Sequence, residues 1–169
     1  DMARICRYVP RHPARTYKEA HQFIIFTHIC IQIEDSGAGV SFGRYDQFMY
    51  PFYKKGIEDG TLTRELALEM TENFFLQIYT CNKVRSWIDT DFYRGVPMVQ
   101  NLTIGGVDPE TMRDAVNEMS YIALDATANT RVPQPSLPVR FHKNTPMEFK
   151  IRVAEVVRLG LGLPSIFNE

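Results

Sequence analysis

Apolar residues recur every three to four positions along much of the chain, and this spacing predicts helices. The first such stretch follows a capping box formed by Thr16 and Glu19, and it extends to about Glu34. It is apolar on nearly all sides, which is typical of a helix buried inside a larger protein. A second stretch begins after Thr63 as its N-cap and continues to about Lys83 with one apolar face.

The second half of the chain alternates between strand and helix patterns. The predicted elements are a strand from Met98 to Ile104, a helix from Asp108 to about Thr127, a strand from about Leu137 to His142, a helix from Thr145 to about Gly160, and the approach to another strand from Leu161. Strands that alternate with helices pair in parallel through right-handed crossovers. The pattern therefore predicts an α/β fold that is rich in helix and has a few parallel strands.

The organisation of the chain favours one part of a larger domain. Residues 1–15 are basic and interrupted by prolines, so we expect an extended segment there. No repeat, low-complexity segment or domain boundary is evident within residues 1–169. Two or three strands are too few for an independent α/β domain. Since the chain begins just before a buried helix and stops at a strand, we expect that both ends are cut.

Composition and charge exclude several classes of protein. Of the 169 residues 44% are hydrophobic and 23% charged, which is a normal globular balance and argues against disorder. The net charge of -1 lacks the basic footprint of a nucleic-acid-binding protein. The longest apolar stretch, from Phe23 to Ile33, is too short and too polar to cross a bilayer. We expect a cytoplasmic protein without nucleic-acid or membrane partners.

The cysteines and histidines do not form a recognisable catalytic or metal-binding pattern. Cys6, Cys30 and Cys81 are far apart and odd in number, so a disulfide framework is not expected. Cys30 and Cys81 occupy apolar-periodic positions, where a thiol packs as a small hydrophobe. The four histidines lack metal-ligand spacing, and we predict no metal site. Phosphate-binding loops and the Gly-x-Ser-x-Gly motif of serine hydrolases are also missing.

Two loops carry the candidate functional residues. The first, from Ser36 to Ser41, consists almost entirely of small residues and allows unusual backbone angles or a close approach by a ligand. The second leads from Tyr93 into a buried strand that contains Gln100 and Asn101. Buried amides need hydrogen-bond partners, which are either structural groups of the protein or a substrate. The sequence leaves both alternatives open.

Seven strings of residues, in the same order along the chain, resemble the pyruvate formate-lyase domain of glycyl radical enzymes. They are Pro13 to Thr16, Gly43 to Gln47, Asn82 to Arg85, Pro97 to Val107, Arg131 to Leu137, His142 to Pro146, and Arg158 to Asn168. Each string alone is a modest signal, but the ordered set is specific. The resemblance covers essentially the whole chain without a large gap.

The resemblance implies a fold and a chemistry. The implied fold is a segment of a ten-stranded α/β barrel made of two antiparallel five-stranded halves. In the family, a glycyl radical generates a thiyl radical on a cysteine, which then removes hydrogen from a small organic substrate so that a carbon–carbon or carbon–heteroatom bond breaks. An activating enzyme that uses S-adenosylmethionine and an iron–sulfur cluster installs the glycyl radical, and the parent enzyme is expected to be a homodimer.

The resemblance also implies what this chain lacks and what it keeps. Neither the cysteine loop nor the glycine loop of the family is present, so we expect no catalytic residue, no bound cofactor and no activity from the chain alone. The expected substrate-binding residues are Ser36, Ala38, Gly39, Tyr93, Met98, Val99 and Gln100. Dehydratase-like members of the family often have Asn-Gly-His-Ser where this chain has Ser-Gly-Ala-Gly. The alternative hypothesis is a non-catalytic scaffold or binding protein derived from the same fold.

Overall fold

A computed structural model describes residues 2–34, 39–81, 86–92 and 99–169, and helices make up most of that part of the chain. The helices are α1 (Met2–Tyr8), α2 (Tyr17–Glu34), α3 (Tyr45–Glu58), α4 (Arg64–Thr80), α5 (Trp87–Phe92), α6 (Glu118–Thr130) and α7 (Met147–Val157). The strands are β1 (Val40–Arg44), β2 (Gln100–Gly105), β3 (Pro138–Phe141) and β4 (Ser165–Asn168).

The four strands form one parallel sheet in the order β1-β2-β3-β4. Each connection between neighbouring strands contains at least one helix, as parallel pairing requires. The predicted α/β class with a few parallel strands is therefore confirmed. β1 was not predicted, because its five residues include Gly43 and a register shift between Ser41 and Arg44 that hides the alternation of a strand.

The helices that the structure describes pack against one face of this sheet. Leu102, Ile104 and Val139 point into that side and are fully buried in the main apolar core. The core also contains large side chains of α3, α4 and α6. Because successive strand residues point to opposite faces, the alternate positions of β2 and β3 lie on the other face. We call that second side the uncovered face; no described helix packs on it.

Several predicted helix boundaries are confirmed by hydrogen bonds. The Thr63 hydroxyl accepts a hydrogen bond from the Leu66 N–H at 3.2 Å at the start of α4. The Thr16 hydroxyl accepts one from the Glu19 N–H at 3.2 Å at the start of α2. The Glu19 carboxylate, however, bonds to the backbone and side chain of Arg15 instead of completing the predicted capping box.

The prediction of a helix beginning at Asp108 is wrong. The Asp108 carboxylate does accept hydrogen bonds from the N–H groups of Glu110 and Thr111, but this cap serves only a turn. Met112 then has a φ of 56°, which ends the turn, and the helix begins only at Glu118. Its N-cap is Asn117, which forms a reciprocal capping box with Ser120.

Three further expectations need correction. Residues 2–8 form the helix α1 instead of an extended segment, and the burial of Ile5 holds it against the core. Cys30 is exposed instead of packing as a small hydrophobe. Finally, the Thr145 hydroxyl accepts a hydrogen bond from the His142 N–H and does not cap α7.

Asp46, at the start of α3, joins three elements at the carboxyl edge of the sheet. Its Oδ2 accepts hydrogen bonds from the Gly105 N–H at 2.7 Å and from the Ser120 hydroxyl at 2.5 Å. Burial raises the pKa of Asp46, and these two hydrogen bonds oppose that rise. The side chain is completely buried. Two of the strings that carried the family resemblance are thus bonded directly to each other.

Arg44 and Gly105 reinforce this junction. The Arg44 guanidinium donates to the carbonyl oxygens of Gly105 and Val107 at 2.7 and 2.6 Å. Gly105 has a φ of 72°, and an added Cβ would lie 2.9 Å from the Arg140 carbonyl oxygen. A side chain at position 105 would therefore push β2 and β3 apart.

Large apolar side chains remain on the surface of the described residues. Ile33 on α2 is 77% exposed, and Trp87 on α5 is 79% exposed. On β4, Ile166 and Phe167 are each more than half exposed. Exposed apolar surface of this kind marks places where other protein packs. No helix in the described ranges is long and apolar enough to cross a membrane.

Candidate functional site

The described ends of the two loops singled out in the sequence, residues 39–41 and 99–101, lie side by side at the amino edge of the sheet. The Val40 N–H donates to the Val99 carbonyl oxygen at 2.9 Å, and Ser41 pairs with Asn101. Gly39 and Val99 are therefore neighbours on adjacent strands, although sixty positions separate them in the sequence. One residue from each candidate loop thus lies at the same point of the sheet.

Gly39 and Val99 belong to the side of the sheet that faces away from the helices. Val99 is 39% exposed, and alternation places it on the same face as Asn101. Gly39 has a φ of 103°, a conformation that side chains rarely adopt. The two residues described at this edge of the uncovered face, a glycine and a valine, are thus both small.

Gln100 lies on the opposite face, behind the site. Its side chain is fully buried and its amide donates to the Ile78 carbonyl oxygen of α4 at 3.1 Å. Its backbone N–H donates to Oε1 of Gln134 at 2.8 Å. Among the described residues, no group donates a hydrogen bond to Oε1 of Gln100. The structure therefore gives Gln100 a supporting position, from which it fixes β2 against α4 and the 134–136 segment.

Three polar residues outside the predicted set of substrate-binding residues, Ser41, Asn101 and Ser136, stand in one row on the uncovered face. Ser41 pairs with Asn101, and Asn101 forms a parallel bridge with Ser136. Residues in register on neighbouring parallel strands are about 4.8 Å apart and point to the same side. Only knowledge of the strand register could have shown this alignment, because the three residues are distant in sequence.

The other predicted site residues are Ser36, Ala38, Tyr93 and Met98. They lie outside the residues that the structure describes. Their chain neighbours, Gly39 and Val99, are both at the amino edge of the sheet.

The opposite, carboxyl edge of the sheet is strongly charged. A cavity of about 1130 Å³ opens there, with Arg44, Arg140, His142 and Glu169 in its lining. Arg140 forms an ion pair with Glu169, whose carboxylate also accepts from the Val107 N–H at 2.9 Å. Arg140 and Glu169 thus form interactions that connect the ends of neighbouring strands.

His142 is bound within the same edge. Its Nδ1 accepts a hydrogen bond from the Asn144 N–H at 3.3 Å, so the ring proton is on Nε2. The Nε2–H donates a hydrogen bond to Oδ1 of Asp114 at 2.8 Å. The described ranges contain no group of three or more His, Cys, Asp or Glu side chains that could hold a metal. The contrast between the edges is clear: ionic ties at the carboxyl edge, and neutral side chains at the amino edge.

The cysteines do not lie on the uncovered face. Cys6 and Cys30 are exposed on helices α1 and α2. Cys81 is the C-cap of α4, and burial raises the pKa of its thiol. The uncovered face of the described sheet therefore carries none of the three thiols.

Comparison with known proteins shows what this segment is similar to. The family model described as pyruvate formate lyase-like matches residues 1–169. A probable dehydratase of Escherichia coli is 39% identical over 172 residues, which cover 99% of this chain and 21% of the relative. The chain therefore spans about a fifth of the length of that curated relative.

Solved structures agree with the sequence match. A structure concerned with 1,2-propanediol dehydration in Roseburia inulinivorans has a TM-score of 0.94 and 37% identity, and it covers 99% of this chain and 21% of its own. A glycyl radical enzyme from Archaeoglobus fulgidus has a TM-score of 0.91 and 34% identity, covering 99% of this chain and 22% of its own. These neighbours confirm that the parallel sheet is part of a glycyl radical enzyme barrel. This chain belongs to the pyruvate formate lyase-like family of glycyl radical enzymes.

Proposed function

We propose that this chain forms part of the barrel wall and substrate site of a glycyl radical lyase or dehydratase, which cleaves a carbon–carbon or carbon–heteroatom bond of a small organic substrate. The observation that carries the proposal is the meeting of Gly39 and Val99 on the face that no described helix covers. The family match over the whole chain supports the reaction class.

The role of this segment is to position the substrate and to exclude water. Gln100 and Asp46 fix the strands from the helix side, so that the uncovered face keeps its shape. The protein radical, installed by an activating enzyme, supplies hydrogen abstraction from parts of the parent enzyme beyond this chain. We further propose a cytoplasmic, homodimeric parent that contacts this activating enzyme.

The small residues at positions 39 and 99 are the basis for our proposal on the size of the substrate. A glycine and a valine, with Ala38 beside them in sequence, replace larger or more polar residues of the dehydratase-like pattern. A site of this shape favours a bulkier and more apolar substrate than glycerol or choline, such as an aryl acid. Burial of a ring contributes roughly 25 cal/mol per Å² of apolar area.

A non-catalytic scaffold is the second candidate function. The coding sequence around this segment decides between the two proposals. A cysteine loop downstream, followed several hundred residues later by an Arg-Val-Ser-Gly-Tyr-like segment, supports the enzyme. A stop codon soon after Glu169 supports the scaffold.

The chain alone is expected to form no glycyl radical. Incubation of residues 1–169 with an activating enzyme and S-adenosylmethionine under anaerobic conditions should give no doublet in electron paramagnetic resonance. The full-length protein, treated in the same way, should give the doublet and serves as the matched control. A doublet from the short chain would show that one of its own glycines carries the radical, and that our assignment of roles is wrong.

A further inference from the structure

We propose that Asn101, with Ser41 and Ser136 on either side, forms a neutral hydrogen-bonding row that binds hydroxyl groups of the substrate. This inference rests on the proposed function and adds the chemical class recognised by the same site. It concerns three residues that were not among the substrate-binding residues expected from the sequence, although Ser41 and Asn101 belong to the two candidate loops.

Strand register places the row. The pairings of Ser41 with Asn101 and of Asn101 with Ser136 put the three side chains on neighbouring strands at one level of the sheet. At about 4.8 Å between strands, the row spans roughly 10 Å. Two hydroxyl groups on adjacent carbons can therefore reach two neighbouring members. Val99 stands on the same strand and face as Asn101, two residues closer to the amino edge.

Side chains of the row have hydrogen-bond donors and acceptors that are not used within the described ranges. The Asn101 amide makes no hydrogen bond within the described ranges, although this residue is only partly exposed. The Ser136 hydroxyl accepts from Nε2 of Gln134 at 3.2 Å, which leaves its own proton available for donation. An asparagine amide both donates and accepts, and a serine hydroxyl does the same, which matches the requirements of an alcohol.

The absence of charge in the row selects the ligand class. No member of the row is ionisable, and the nearest cation along β1, Arg44, is held by the carbonyl oxygens of Gly105 and Val107. The carboxylate of an aryl acid would gain more from a cation than from this row, so we assign to the row only the hydroxyl groups of the substrate. Neutral amides and hydroxyls instead favour a neutral hydroxylated group.

Binding of propane-1,2-diol to the full-length protein without activation tests the row. Titration calorimetry should show that Asn101→Leu weakens binding by about tenfold or more, because one amide that hydrogen-bonds the diol is lost. The double variant Ser41→Ala/Ser136→Ala changes the two ends of the row and removes only small side chains. It should also weaken binding, and it tests the proposal if Asn101→Leu does not fold. Thr103→Val is the matched control, one level further along β2 on the same face, and should leave affinity within about twofold.

Each outcome decides the proposal. Three results would each contradict the proposal that the row binds hydroxyl groups. They are an unchanged affinity in a folded Asn101→Leu variant, an equal loss of affinity in Thr103→Val, and a wild-type protein that does not bind the diol. The radical assignment is decided separately, by the resonance signal of the activated wild-type protein. Diol binding through the row in a protein that never forms a radical would leave the row intact and contradict the proposed reaction.

Discussion

Replacement of Asp46 by alanine is expected to prevent the full-length protein from folding to a stable state. The substitution leaves the Gly105 N–H and the Ser120 hydroxyl buried without their acceptor. Each unsatisfied buried donor costs about 1–3 kcal/mol, and the empty space adds to that cost. The result should appear as a loss of soluble protein, or as a thermal midpoint several degrees lower by calorimetry.

Asp125→Ala is the matched control for this experiment. Asp125 also has two partners, Arg64 and Arg152, but its side chain is 18% exposed and those of the arginines are 47% and 35% exposed, whereas Asp46 is completely buried. Exposed ion pairs contribute about 0–1 kcal/mol, so this variant should remain close to wild type. If Asp46→Ala and Asp125→Ala behave alike, Asp46 does not hold the carboxyl edge of the sheet together.

Val99→Phe in the full-length enzyme is expected to reduce turnover of aryl acids sharply. The added ring occupies the space beside Gly39 into which we place the substrate ring. Overfilling a packed site costs about 1–3 kcal/mol, which corresponds to roughly a 5- to 150-fold loss in kcat/KM. Turnover of a three-carbon diol, which needs less room, should fall much less.

The same enlargement at a surface position provides the control. Val157 ends α7 and is 43% exposed, so Val157→Phe should leave the turnover of both substrates unchanged. Equal turnover of aryl acids by wild type and Val99→Phe would mean that position 99 does not shape the pocket. The size argument would then be wrong, whereas the family assignment would stand.

The sequence predicted those elements whose local signals agree with their tertiary environment. α4 combines an N-cap at Thr63 with a regular apolar stripe, and β2 ends at a glycine pair, so both were located closely. The helix predicted at Asp108 failed because the same capping chemistry also stabilises a single turn. Nothing in the local sequence shows that Met112 will adopt a positive φ and stop that turn.

The candidate site was predictable in part for a related reason. The small residues of the first loop drew attention to Gly39, whereas Val99 was implied by the family resemblance. The face that each β2 residue occupies could not be predicted. It depends on the register of β2 with β1 and β3, and the sequence does not give that register. Gln100 and Asn101 were therefore treated alike, although one is buried behind the sheet and the other lies in the row with Ser41 and Ser136.

A crystal structure of the full-length protein with its substrate bound tests the central claim most directly. The account predicts that the substrate lies on the uncovered face at the amino edge, in van der Waals contact with Gly39 and Val99 and within hydrogen-bond distance of Asn101. A substrate bound instead at the carboxyl edge, against Arg140 and His142, or on the helix side of the sheet, would contradict it.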